Sequence, residues 1–434
     1  MYNFFKIAEL AISEYIPMAS VLVLGGIFSI KTKLFQLRYL KKSLISTLGF
    51  EKKEKSGINS FQAVCTTLAS TIGTGNIVGV ATAISIGGPG AVFWMVLSAF
   101  LCMIIKMFEI TLAVKFKEKT NIKCGPLSYI KSVGKETQIL VFLFCLFCVF
   151  SSFTSGNITQ INTVSVAISE NFFVKLLVGF IIAILVFCVV CGGVKRIAKF
   201  SEIAVPFMSV IYIVLCLGII IINTKKLPET FYKIVVGAFN PSAVTGGAVG
   251  SIGIVAGIGV SRGIFSNEAG LGTAAFAHIH SNSSDVAKEG ICGIFEVFFD
   301  TVVMCTLTGI AIISAGIKIN YGQIISSQLI IDVFKAVYGN FAELLIAIML
   351  SFFGFTSVVG WGYFGLECVE YRFPKFKRLY IFIYPIFCIL GAICSVSMAW
   401  RLAALFNGLM LCINMYCLLL HSNTAIKEVK NYEN

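Results

Sequence analysis

Stretches such as "ILVFLFCLFCVF" (139–150) and "LVGFIIAILVFCVVCGG" (177–193) have no polar face. A helix that is apolar all round, and about 20 residues long, reads as a membrane span. The chain repeats this pattern near 16–30, 58–86, 88–114, 139–168, 174–193, 203–223, 242–280, 290–314, 341–366, 379–397 and 402–421. It is 57% hydrophobic and 13% charged, where soluble chains average roughly 45–50% and about 25%. These features define an all-α polytopic membrane protein with about 11 transmembrane helices. The opening "MYNFFKIAELAISEYIP" is amphipathic, without the basic lead or small-residue site of a cleaved signal peptide.

A formal net charge of +13 invites a nucleic-acid reading, but its distribution argues against one. Alternate connections, with the C-terminal tail, carry 24 Lys and Arg, and the opposite side carries 8. The positive-inside rule then places the N-terminus outside and the C-terminus in the cytoplasm of a cell-membrane protein. The partner implied by this charge is the lipid bilayer, and no oligomeric state is implied. The 15 cysteines lie mostly in apolar runs. Cys145/Cys148 and Cys188/Cys191 have CxxC spacing, but thiolates are costly in hydrocarbon, so cysteine serves as a small apolar residue.

Two spans weaken themselves with glycine. The second carries "STIGTGNIVG" and the seventh "TGGAVGSIGIVAGIGVSRGIFSNEAGLG" (245–272). Five spans separate their starts, so the two run in opposite directions. Interrupted spans at matching places in inverted halves mark the binding site of a secondary transporter. The halves are expected at 58–223 and 242–421, preceded by an N-terminal helix and basic loop (1–57) and followed by a tail (422–434). Unpaired backbone is tolerated at membrane depth where it lines a cavity. A break frees carbonyls suited to a cation and amides suited to a carboxylate. Close helix packing through small residues is the competing explanation for the same glycines.

"TLASTIGTGNIVGVATAISIGGPGAVFWM" (67–95), "SGNITQIN" (155–162), "SRGIFSNEAGLGTAAFAH" (261–278) and "GFTSVVGWGYFGLECVEY" (354–371) together resemble the alanine-or-glycine:cation symporter family. The resemblance runs in order along nearly the whole chain. It implies the architecture of the bacterial leucine transporter: a five-plus-five inverted repeat with two broken helices, here with one extra N-terminal helix. It also implies uptake of small neutral amino acids, chiefly alanine and glycine, coupled to Na+. Such a protein is not an enzyme.

The substrate carboxylate is expected at backbone amides near Thr74, Gly75 and Asn76, because no charged side chain lies between Ser56 and Met95. Gln160 offers either a substrate contact, which the family pattern favours, or a helix–helix hydrogen bond. Asn157 and Asn162 are weaker candidates. Trp361 is expected to wall the pocket or to be an ordinary core tryptophan. Gly257 and Gly259 are expected at the second break. Thr356 and Ser357 offer two hydroxyls to sodium, or bond back to their own helix. Similarity to the leucine transporter adds the carbonyls of Ala69, Ile72 and Phe353.

Glu268, in "SNEAG", is an ionisable group at or near membrane depth and so reads as functional. With Arg262 it is expected to form an inner gate or a structural cap, and Asn267 offers a further cap. Glu296 and Asp300, four residues apart, suit a solvated cavity or proton movement. Lys106 and Glu109 have ordinary helix-pair spacing. His278 and His280 have no cysteine or acid at ligand spacing. An ion channel and an intramembrane enzyme are the rival classes, and a glutamine or proton-coupled symporter is the nearest rival function.

Overall fold

In hydrocarbon every backbone polar group must find a partner within the protein, which leaves helices as the structure available to an apolar chain of this kind. The computed structural model describes residues 11–48, 58–134, 137–281, 283, 285–323 and 327–433. Lys6 and part of the basic connection 31–57 fall outside these. Among the described residues there are helices and one isolated bridge, Ile58 to Ser281.

The first helix is α1 (Ile16–Lys31). The second span is bent by 64° between α2 (Ser60–Thr71) and α3 (Val78–Gly87). There follow α4 (Gly90–Thr120), α5 (Thr137–Ile168), α6 (Phe172–Val190) and α7 (Gly193–Ile222). After the amphipathic α8 (Leu227–Phe239), the seventh span forms α9 (Ile252–Asn267) and the short α10 (Ala274–His278). The second half continues with α11 (Val286–Ala315), the amphipathic α12 (Gln328–Tyr338), α13 (Phe341–Arg372), α14 (Lys377–Ile393) and α15 (Val396–Leu420). A final helix, α16 (Ser422–Glu433), closes the chain. Nine helices among the described residues are long and apolar enough to span a membrane; the bent pair and the shorter α9 supply the remaining expected spans.

The long helix α4 runs through the centre, between α9 and α11. Glycine permits both contacts. A Cβ at Gly259 would drive into the carbonyl of Ala91, and one at Gly293 would sit 3.0 Å from the backbone of Lys106. With lipid as apolar as the core, such close backbone approach is what holds membrane helices together. Three spans carry π turns among the described residues, Ala11–Tyr15 ahead of α1, Thr154–Ile158 in α5 and Phe298–Cys305 in α11. The last presents Asp300 to both broken spans.

Candidate functional site

The first break is sharp. The last helical bond of α2 is Ile72 N to Leu68 O, at 2.8 Å. Beyond it, Gly73 N donates to Thr71 O and to Asn76 Oδ1, and Thr74 N donates to Gln160 Oε1. The carbonyls of Ala69 and Ser70 therefore lose the amides that a continuous helix would bring them. Ser70 O instead accepts from Ser357 Oγ at 2.9 Å. Gly73 is required here, since a Cβ would collide with Ser357 Oγ and lie 2.9 Å from Gln160 Oε1. Thr356 Oγ1 turns back to Phe353 O at 2.9 Å. Of the adjacent hydroxyls, one crosses to the break and the other serves its own helix.

Asn76 locks the far side of the break. Its Nδ2 donates to Asp300 Oδ1 at 2.8 Å, while Ser266 Oγ, on α9, donates to Asp300 Oδ2 at 2.9 Å. Asp300 thereby joins the two broken spans directly. Asn157 and Asn162 donate instead to carbonyls of α14 and its C-terminal end, at Tyr384, Gly391 and Cys394.

The second break lies later than expected. Gly257 and Gly259 are inside the continuous α9, and the chain leaves the helix at Glu268, whose φ is 56°. The physical reason is packing. Gly259 gives α4 room to approach, and Gly257 borders the cavity, with Met18 Sδ 3.9 Å from where its Cβ would be. The segment from Glu268 to Thr273 is irregular, with Gly270 and Gly272 at φ 92° and 80°. Side chains from elsewhere satisfy it. Lys106 Nζ donates to Asn267 O at 2.7 Å, and Gly272 N donates to Glu109 Oε1 at 2.9 Å. Asn414 Nδ2 donates to Gly270 O at 2.8 Å and to Glu109 Oε1 at 2.7 Å. Lys106 and Glu109 thus cradle the break, a role beyond their ordinary helix-pair spacing. The signal available in the sequence was their charge within an apolar span.

Glu268 and Arg262 do not pair. Six residues on one continuous helix separate them by about 9 Å along the axis. Glu268 Oε1 accepts from Trp361 Nε1 at 2.8 Å, whereas the Arg262 guanidinium lies 4.6 Å from the Trp400 ring centroid. Asn267 stabilises the turn after α9, where Ala269 N donates to its Oδ1 at 3.0 Å. A cavity of about 950 Å³ lies between α1, α3, α5, α9 and α15, where Asn162 borders it; it reaches Val78, at the start of α3 beyond the first break, and Leu271, within the second. Val78, Phe265 and Leu271 lie on its lining, with Arg262 and Glu14 also bordering it. Phe265 is 3.8 Å from where a Cβ on Gly75 would be. Of the expected substrate residues Gly257 is on that lining, and Thr74, Gly75, Asn76, Gln160, Gly259 and Trp361 are not. The Trp361 indole is buried against Gly156 of α5, which has room for it only because glycine lacks a Cβ.

Two interrupted spans meeting beside an open cavity have the architecture of a multi-pass membrane transporter. The fold matches the crystal structure of MhsT in complex with L-phenylalanine, with a TM-score of 0.61 and 14% identity, over 87% of this chain and 99% of that one. The chain matches the sodium:alanine symporter family over residues 1–434, and it belongs to that family. It is 37% identical to the sodium/alanine symporter AgcS of Methanococcus maripaludis, over 96% of this chain and 94% of the relative. It is 34% identical to the probable sodium/glutamine symporter GlnT of Bacillus subtilis, over 95% and 86%.

Proposed function

We propose that this protein carries small neutral amino acids, alanine and glycine above all, together with Na+ by alternating access. The observation that supports this most directly is the first break. It offers backbone carbonyls to a cation and the positive end of α3 to a carboxylate, where the cavity ends. Sodium is placed among the carbonyls of Ala69, Ile72 and Phe353 and the hydroxyls of Thr356 and Ser357. The amino acid carboxylate is placed at the Gly75 amide, flanked by Thr74 and Asn76, with Gln160 fixing the backbone there. Phe265 and Leu271 limit the side chain. A methylene in such a pocket discriminates by only about 1–3 kcal/mol, so larger amino acids are rejected in a graded way.

Sodium draws the break and α13 together through Ser357, and this prepares the amides for the carboxylate. Linkage then requires that amino acid raise sodium affinity by the same factor. A neutral zwitterion with one sodium ion moves one charge, worth roughly 2.3 kcal/mol at about 100 mV. The charge bias sets the N-terminus outside, and the N-terminal end of α1 borders the cavity mouth, so the conformation described faces outward. Access alternates as one group of helices rocks against another around the breaks. The test is uptake of radiolabelled alanine and glycine into proteoliposomes under sodium, lithium and proton gradients, with glutamine and a side-chain size series as competitors. Sodium-independent uptake, or glutamine preferred over alanine, overturns the assignment.

A further inference from the structure

The face of the bundle away from the cavity is closed where α2 begins. Ile58 bridges to Ser281, and Ser60 Oγ donates to Glu289 Oε2 at 2.7 Å. Glu289 Oε1 lies 2.5 Å from His278 Nδ1, and Glu296 Oε1 lies 2.7 Å from His278 Nε2. Glu296 Oε2 is 3.6 Å from Lys106 Nζ, which donates to Asn267 O. His278, Glu289, Glu296 and Lys106 are all buried. One chain of contacts therefore runs from the first turn of one broken span to the irregular segment of the other.

Counting protons constrains this cluster. A neutral imidazole donates from one nitrogen only. Here both nitrogens face carboxylate oxygens, so a neutral ring satisfies one of the two contacts, and one extra proton on the cluster satisfies both. With it, these three and Lys106 sum to zero charge. Without it, the cluster carries a net negative charge away from water, and a ring lone pair meets a carboxylate. The surrounding elements bring further charges. Lys117 of α4 acts on Glu289, and Glu202 of α7 takes a hydrogen bond from Gln62 Nε2 at 2.8 Å. Glu428 of α16 is paired with Lys115, Lys42 sits over the Tyr432 ring, and His280 lies 3.7 Å from Glu367.

We propose that Glu289, His278 and Glu296 bind one proton that latches the start of α2 shut on the face opposite the cavity. This rests on the alternating-access reading. When α2 swings out, the Ser60–Glu289 bond breaks and water reaches the cluster. The proton leaves to that water and returns from it before the face closes, so no other reactant is needed. Alkaline conditions on that face favour opening.

Cys65 reports the event, because it is buried on α2 one turn beyond Ser60. Purified full-length protein is labelled with a maleimide, and Cys65 modification is quantified by peptide mass spectrometry relative to the exposed Cys188. Labelling in the wild type rises from about pH 6 to about pH 9. Ser60→Ala raises it at the acidic end roughly tenfold, the size expected when one hydrogen bond to a charged group is lost. Glu289→Gln makes the cluster neutral without the extra proton, and His278→Gln removes the ring that carries it, so both abolish the pH slope. Where His278→Gln fails to fold, Glu289→Gln gives the reading. Equal labelling in wild type and Ser60→Ala, or an unchanged slope in Glu289→Gln, overturns the latch. A wild type that takes up no amino acid overturns the symport reading instead, and leaves this measurement standing.

Discussion

Gln160 Oε1 accepts from both the backbone N–H and the hydroxyl of Thr74, at 3.0 and 2.9 Å. A side chain of α5 thereby stands in for the helix carbonyl that Thr74 lost at the break. Gln160→Leu leaves two buried donors unpaired, at about 1–3 kcal/mol each. Initial rates of amino-acid uptake are expected to fall at least tenfold, with protein still monodisperse by size exclusion. Wild-type rates in that variant would show that the break does not need this acceptor.

The sodium assignment separates two adjacent hydroxyls. Ser357 reaches Ser70 O across the helix interface, while Thr356 returns to Phe353 O. Ser357→Ala removes both a proposed cation oxygen and the link between α13 and the break. Thr356→Ala removes an oxygen and frees a carbonyl. The sodium concentration for half-maximal uptake should rise in both, more steeply in Ser357→Ala, and most in the double variant. An unaltered sodium dependence in the double variant removes this site.

Gly257 and Gly259 look alike in the sequence and have different duties. Space beside Gly257 admits a Cβ, with Met18 Sδ 3.9 Å away. A Cβ at Gly259 meets the Ala91 carbonyl and, at 2.8 Å, Trp94 Cβ. Gly257→Ala should leave the melting temperature of the detergent-solubilised protein nearly unchanged. Gly259→Ala should lower it, because overpacking costs roughly 1–3 kcal/mol. The reverse order would move the site of close packing elsewhere.

That pair also shows where the sequence stops speaking. The spans were legible because hydropathy is summed over about 20 residues and needs no tertiary partner. The first break was legible because "GTGN" concentrates glycine and a capping amide in a few positions. The second was misplaced because glycine signals both close packing and backbone freedom, and only the neighbouring helix decides between them. Lys106 and Glu109 were passed over for a related reason. Their three-residue spacing satisfies a local rule, whereas their partners, Asn267, Gly272 and Asn414, lie more than a hundred residues away. Arg262 and Glu268 were paired by proximity in sequence, and the unbroken turns of α9 hold them apart.

His421 sits between α15 and α16, with Nε2 3.1 Å from Tyr129 O and its ring 4.8 Å from that of Phe116. Burial lowers its pKa from the ordinary 6.5, Lys119 acts in the same direction, and the Tyr129 carbonyl opposes. A histidine with a lowered folded pKa resists a proton that the undocked chain accepts. Its stabilisation is therefore present above the ordinary value and is lost as pH falls below it. The pairs that also hold α16, Arg38 with Glu433 and Lys115 with Glu428, each join a half-exposed cation to a more covered glutamate at the surface, and such pairs contribute little. Buried Ala425, Ile426 and Val429 carry the packing, with His421 at its hinge. Amide exchange of 422–433, corrected for its intrinsic pH dependence, should accelerate on acidification from about pH 7 to about pH 5. In His421→Gln that acceleration should vanish. Its persistence would place the acid-sensitive contact of α16 elsewhere than at His421.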